Sequence, residues 1–398
     1  MMGQVDIMAL AQSVADDMVS WRRDLHQFPE LGLEIPQTSA YVQKVLDELG
    51  IPYHTLVNGN AIVGLIEGGH PGPVLAIRAD MDGLPIAENT GLDFASTNGN
   101  MHACGHDGHT AILLGTAKLL QNMKNQLHGS IKLIFQPGEE YPGGAKPMLD
   151  EGAFKNPDVD HVIGLHAGSL DPMAPQGVIA YKAENFMASM DRFQIDILGK
   201  GSHGAYPETA HDPIATAGLM INGIQMIKSR MIKATEPVVV SITRVSGGYN
   251  QNIIPDKVEL EGTVRTFNDD QRKFVHQELE TMAKNIAQAM GADAEVTYDY
   301  KYPAVINDSD FTQRVVDALA KVFSSDQLYE SLEPRMGGED FAYYLQEVPG
   351  TFLFLNNPRE IDGIFNGHHH EKFDMEEKYF YLGVAAFLTV SFDLLGEA

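Results

Sequence analysis

The sequence predicts a two-part α/β protein: a mostly parallel sheet flanked by helices, interrupted by a separate α+β unit. Three observations carry this. In the first half, short apolar runs alternate with helical periodicity, as in a parallel sheet with helices on both faces. From about 186 to 294 the order becomes β-α-β-β-α-β, which is the ferredoxin-like split motif. Ligand-type residues cluster before 170 and return only after 330, so the middle unit reads as an insertion. The boundaries drawn are 1–185 with 295–398 for the first part and 186–294 for the insert.

Residues 6–27 and Pro36 to Leu49 read as helices. Val74–Ala79 reads as a buried strand ending in RADMDGLP, and a helix from about His109 to Lys124 follows the loop MHACGHD. Strands follow at Ile131–Gln136 and Val159–Leu165. Ligands of such sheets sit beyond the carboxyl ends of the strands. Asp80, Asp82, Glu139, Glu140 and His166 all fall there. In the insert, Phe193, Ile195 and Ile197 alternate as a half-buried strand. Asp212-Pro213 caps and starts a helix to about Ile232. Strands over Pro237–Val245 and Lys257–Phe267 come next, then a helix from Asp270 to Met290 that stops at Gly291. Val296, Tyr298 and Tyr300 form the last strand.

A net charge of -26 and a pI near 4.8 argue against nucleic acid or an anionic membrane as partner, since both recruit basic patches. A single cysteine, Cys104, excludes an intrachain disulfide. Asp16 and Asp17 interrupt any signal-peptide core, and no run of about 18 apolar residues is expected. The compartment expected is the cytoplasm.

Glu139 and Glu140 stand side by side at the end of the run SIKLIFQPGEE, after a strand that reads as buried, a costly placement unless a cation meets them. Cys104 and His106, two residues apart, would project to one side in extended backbone. The helix after them would favour a thiolate through its positive end. His166 follows a strand, and the triplet His368-His369-His370 adds imidazoles near the C-terminus. Such a set could share two divalent ions, bridged by Glu140 or a water, with Glu139 left to move protons. Imidazole with thiolate suits zinc, manganese, cobalt or nickel better than magnesium or calcium. The outline is that of a metal-dependent hydrolase.

The segments RADMDGLP, MHACGHDGHTA, FQPGEE, GLHAG, GKGSHGAYPETAHDPI, NIIPDKVELEGTVRTF, MGGEDFAYY and HHHEKFD occur in one order along essentially the whole chain. Together they resemble the metal-dependent amidohydrolases related to aminoacylase and carboxypeptidase G. The branch resembled is that of hippurate hydrolase, N-acyl-amino-acid amidohydrolases and auxin-conjugate hydrolases.

The resemblance implies a di-metal catalytic domain with an inserted lid and dimerisation domain. It puts the metal ligands at Cys104, His106, Glu140, His166 and His369, the general base at Glu139 and second-layer carboxylates at Asp80 and Asp82. His369 is reached by counting back from Phe373, although Glu371 replaces the family's proline. The lid would contribute His203 at the reacting carbonyl, and Asn252 and Arg265 near the substrate carboxylate. Arg265 suits that role because its planar fork can grip a carboxylate bidentately. Glu339 and Asp340 read as caps of the following helix. The function implied is hydrolysis of N-acyl amino acids by a homodimer or higher homo-oligomer using two ions, manganese or zinc first and cobalt or nickel as alternatives. The competing readings are a dipeptidase or carboxypeptidase with the same machinery, and a metal-binding relative without catalysis.

Overall fold

Helix ends follow local chemistry throughout the computed structural model, which describes residues 6–396. The helix expected over 6–27 is two helices, α1 (Ile7–Gln12) and α2 (Ala15–His26). The Ser13 hydroxyl donates to the Leu10 carbonyl at 2.6 Å, and Val14 leaves helical geometry, so the ladder breaks between them. Helix α3 (Pro36–Leu49) opens on a proline and closes on Gly50 in the left-handed conformation. There follow β1 (Tyr53–Leu56), β2 (Ala61–Glu67), β3 (His70–Asp80), α4 (His106–Met123), β4 (His128–Gln136), β5 (His161–Gly168) and β6 (Val178–Tyr181).

The chain then forms β7 (Asp191–Leu198), α5 (Pro213–Met226), β8 (Val239–Gly247), β9 (Lys257–Arg265), α6 (Asp269–Ala289) and β10 (Asp293–Tyr300). It ends with α7 (Ser309–Leu319), β11 (Leu328–Glu330), β12 (Gly350–Asn356) and α8 (Phe380–Leu395). Two units result. One takes the described residues of Met1–Phe186, Ile306–Arg335 and Asp340–Ala398; the other takes Met187–Val305 and Met336–Glu339.

The first unit is built on an eight-stranded sheet in the order β1-β2-β4-β3-β5-β12-β6-β11. Its centre, β4-β3-β5-β12, runs parallel, and antiparallel pairs occur at β1-β2, β2-β4 and β12-β6. Both faces of the centre are covered, which is why its strands read as unbroken apolar runs. Ile77, Leu133, Phe135, Ile163 and Leu353 share one core with Leu113 of α4 and Leu388 of α8. By length and composition alone, the segment Glu377–Leu395 is long and apolar enough to cross a membrane. It is 67% buried within the fold, where α8 packs on α1, α4 and α7 as a core helix.

The second unit is an antiparallel sheet in the order β8-β9-β7-β10. This is the strand order of the split β-α-β motif. Asp212 caps α5 by accepting from the Ile214 and Ala215 amides, and Asn268 caps α6 in the same way. Phe193, Ile195 and Leu260 meet Met220 of α5 and Leu279 of α6 in a separate core. Gly262 lies beneath the Phe193 ring, where a Cβ would come within 2.2 Å of Cζ. Strand β10 pairs with β7 along its whole length, from Asp293 opposite Leu198 to Tyr300 opposite Asp191. A boundary at 294 would therefore cut this sheet, and the unit continues to Val305.

Candidate metal centre

Three strand ends and one helix start converge in the first unit. Strand β3 ends in Asp80, β4 leads into Glu139 and Glu140, β5 carries His166, and α4 begins at His106 rather than at the expected His109. Cys104 and His106 therefore do not meet through extended backbone. Gly105 between them is left-handed (φ 91°), and a Cβ there would lie 2.8 Å from Met375 Sδ. That glycine turn aims both side chains inward.

Two donor groups result, each with its ligand atoms within 4.8 Å of one another: Cys104, His106 and His166, and Cys104, Glu140 and His369. Cys104 Sγ is the atom they share, a place the sequence reading gave to Glu140 or a water. His106, Glu139 and Glu140 form a further group of the same span.

Hydrogen bonds decide which nitrogens point at the centre. His166 Nδ1 donates to the Ala167 carbonyl at 2.8 Å, which leaves Nε2 as a lone pair 3.4 Å from Cys104 Sγ. Two donors about 2.3 and 2.0 Å from one tetrahedral zinc-sized ion stand roughly 3.5 Å apart, so this spacing fits. Neither buried ring nitrogen of His106 makes a hydrogen bond, though Nδ1 is 3.3 Å from Asp82 Oδ1 and Nε2 3.7 Å from Asp80 Oδ2.

Within the triplet, His369 is the residue brought to Glu140, with Nε2 2.9 Å from Oε1. His368 Nε2 accepts the Ser169 amide at 2.9 Å, so its Nδ1–H faces Cys104 Sγ at 3.7 Å. His370 Nδ1 accepts the Lys372 amide. Arg22 on α2 binds the loops together, holding Asp107 at 2.8 Å and Asp374 at 2.6 Å.

The electrostatics call for a cation. Burial pushes the His106 imidazole down, but Asp80, Asp82 and Glu140 outweigh it and hold it up at about 10. Burial, together with Glu140 and Glu139, pushes the Cys104 thiol well above its ordinary value. The end of helix α4 thus does not make Cys104 a thiolate by itself; a metal ion would have to. A buried thiol, an imidazole whose ring nitrogens make no hydrogen bond and a ring of carboxylates form a donor set that fits divalent ions.

Asp82 accepts the Glu139 amide at 2.9 Å and the Glu140 amide at 3.2 Å, so it orders the carboxylate loop as well as facing His106. Three residues singled out less sharply, or not at all, also matter. His109 is held between Asp80 and the Ala167 amide. Arg78 binds Asp80 and Asp340. Asp340 itself, read as a helix cap, instead accepts the Gly144 and Ala145 amides behind the Glu139 loop. An arginine inside the apolar run VLAIRAD was the available signal, since a charge there is buried and must be paired.

In the second unit, Ser202–His203 pairs with Ile253–Ile254, and Asn252 accepts the Gly204 amide through its carbonyl at 2.7 Å. His203 and Asn252 thus share one short ladder. The Ala205 amide donates to His203 Nδ1 at 3.1 Å, which leaves the Nε2–H of the exposed ring as a donor. Arg265 lies apart from this ladder in the chain's register, at the end of β9. It lines a groove with Arg192, Gln194 and Thr263 and donates to the Thr263 hydroxyl.

A mostly parallel sheet with a carboxylate, thiol and imidazole cluster beyond its strand ends defines a metallohydrolase-type centre. Residues 76–391 match Peptidase family M20/M25/M40, and the chain belongs to that family. It is 40% identical to an N-acetylcysteine deacetylase of Bacillus subtilis, covering 91% of this chain and 92% of that one. It is 39% identical to thermostable carboxypeptidase 1 of Saccharolobus solfataricus, covering 94% of each. The crystal structure of a dinuclear metal-binding peptidase of the M20 family from Bacillus subtilis superposes with a TM-score of 0.82 at 37% identity, covering 96% of this chain and 98% of that one.

Proposed function

We propose that this chain hydrolyses the amide bond of N-acyl amino acids to a carboxylate and a free amino acid. The observation that carries the reading is the pair of donor groups sharing Cys104, with Glu139 grouped beside His106 and Glu140. Cys104, His106 and His166 would hold one divalent ion; Cys104, Glu140 and His369 would hold the other. Zinc and manganese are the first candidates, with cobalt or nickel as alternatives. When bound, the ions polarise the amide carbonyl and acidify a water.

Glu139 takes the proton of the attacking water and passes it to the amine nitrogen as the C–N bond breaks. The His203 Nε2–H donates to the oxygen that gains charge, and Asn252 with Arg265 holds the amino-acid carboxylate. The chain works as a homodimer or higher oligomer formed through the second unit. Ile214, Leu219 and Met226 exposed on α5 and the open edge of β8 support this, and sedimentation tests it. The cytoplasm as its compartment suits a centre built on one reduced thiol.

The test is a panel of N-acetyl, N-benzoyl and indole-acetyl amino acids, assayed after chelation and again with each metal restored. Dipeptides are run beside it, because the relative named a carboxypeptidase supports a peptidase with the same machinery. Activity that returns with metal and prefers the acyl amino acids is expected; silence with no metal bound would sink the reading.

Two further results are expected. His203→Ala lowers kcat by about 10²- to 10³-fold, as loss of one oxyanion donor does; unchanged kcat would remove His203 from the chemistry. Loading metal-free protein near pH 8 releases about two protons per chain, because ligands bind deprotonated. The source is His106, held at about 10, and Cys104, held high; both are protonated in the metal-free chain at that pH. Calorimetry in buffers of different ionisation enthalpy reads the release.

A further inference from the structure

Arg78 sits two residues before the carboxyl end of β3 with 1% of its surface exposed, yet it reaches both sides of the centre through hydrogen bonds. One arm starts at Nη1, which donates to Asp80 Oδ2 at 2.6 Å. The other oxygen of Asp80 accepts His109 Nδ1–H at 2.6 Å, and His109 Nε2 accepts the Ala167 amide at 2.7 Å. That peptide unit follows His166, and its residue's carbonyl takes the His166 Nδ1–H. This arm therefore fixes both the backbone and the ring of His166. With both of its nitrogens engaged, His109 acts as a strut and not as a donor to an ion.

The second arm starts at Nε, which donates to Gln136 Oε1 at 2.9 Å, and at Nη2, which donates to Asp340 Oδ1 at 3.0 Å. Gln136 Nε2 donates to Asp340 at 2.7 and 2.8 Å. Asp340 Oδ2 accepts the Gly144 and Ala145 amides at 2.8 and 2.9 Å. These amides close the loop that begins after Gln136 and carries Glu139 and Glu140. Gln136, Asp80 and Asp340 are all fully buried, so few alternative partners compete.

We propose that Arg78 is a positioning residue that sets the two halves of the centre independently: His166 through Asp80 and His109, and the Glu139–Glu140 loop through Gln136 and Asp340. The proposal rests on the dinuclear reading above. Only a planar fork can serve both arms at once, so lysine is not an equivalent.

The experiment is cobalt titration of the metal-free chain, native and variant, read by absorption, stoichiometry and Kd, alongside kcat and KM at saturating metal. Asp80→Asn, which cuts the first arm, weakens one of the two ions by about 10- to 100-fold, the usual cost of losing a ligand's support. Asp340→Asn, which cuts the second, weakens the other ion, the one Glu140 would hold, by a similar factor and, at saturating metal, lowers kcat at least tenfold through Glu139 with KM little changed. Arg78→Lys does both. Should Arg78→Lys fail to fold, the two carboxamide variants carry the test alone.

Wild-type Kd and kcat in the variants, or both ions lost equally in all of them, would overturn the proposal and leave Arg78 a core ion pair. A native chain that binds no cobalt would overturn the dinuclear reading itself, which separates the two failures.

Discussion

Replacing Glu139 by glutamine is expected to lower kcat by about 10²- to 10⁴-fold, the range of general acid–base catalysis, with the metal content unchanged. The substitution is nearly isosteric at a side chain that is 6% exposed. Asp82 still holds the loop through its backbone, because it accepts the Glu139 and Glu140 amides. What glutamine loses is the capacity to accept a proton and return it to the leaving amine. Turnover on N-acyl amino acids measured beside metal content separates this loss from loss of ions. Near-normal kcat with both ions bound would mean that another group, or the solvent, moves the proton.

Cys104→Ala should cost more binding than any other single ligand change, since Sγ belongs to both donor groups. Removing support behind a ligand already costs about 10- to 100-fold in affinity, so removing a shared ligand should exceed about 100-fold at both sites. The metal-free fold should survive. Cys104 is a small side chain with 8% exposure, and its loss leaves a cavity worth on the order of 1 kcal/mol. Metal analysis after dialysis, with thermal unfolding of the metal-free forms, checks both halves. In the metal-free protein the thiol, held protonated by burial and by Glu140 and Glu139, should alkylate slowly and faster as pH rises, and bound metal should suppress that rise; a metal-loaded thiol that gains reactivity with pH as the metal-free one does would count against ligation.

The parts of the site that were legible early are those where residue type violates its surroundings. Glu139 and Glu140 after an apolar strand, and Cys104 and His106 before a helix, announce a cation because such groups are costly when buried alone. The second unit was legible because period-two alternation and two capped helices are local properties, and its strand order followed from them. Less visible was the break at Ser13, where a hydroxyl competes for a carbonyl, and the early start of α4, which needs Gly105 in a left-handed conformation.

By itself, then, the chain's sequence determined the sheet-and-insert architecture, the acidic surface and the residue types of the centre, because all of these follow from composition, periodicity and cost of burial. Only the tertiary structure decided which donors share an atom and that Arg78, His109 and Asp340 stand behind them. Some of those are relations between residues far apart in the chain, such as Arg78 and Asp340, 262 positions apart. Hydrogen-bond direction sets them, and no local pattern encodes it.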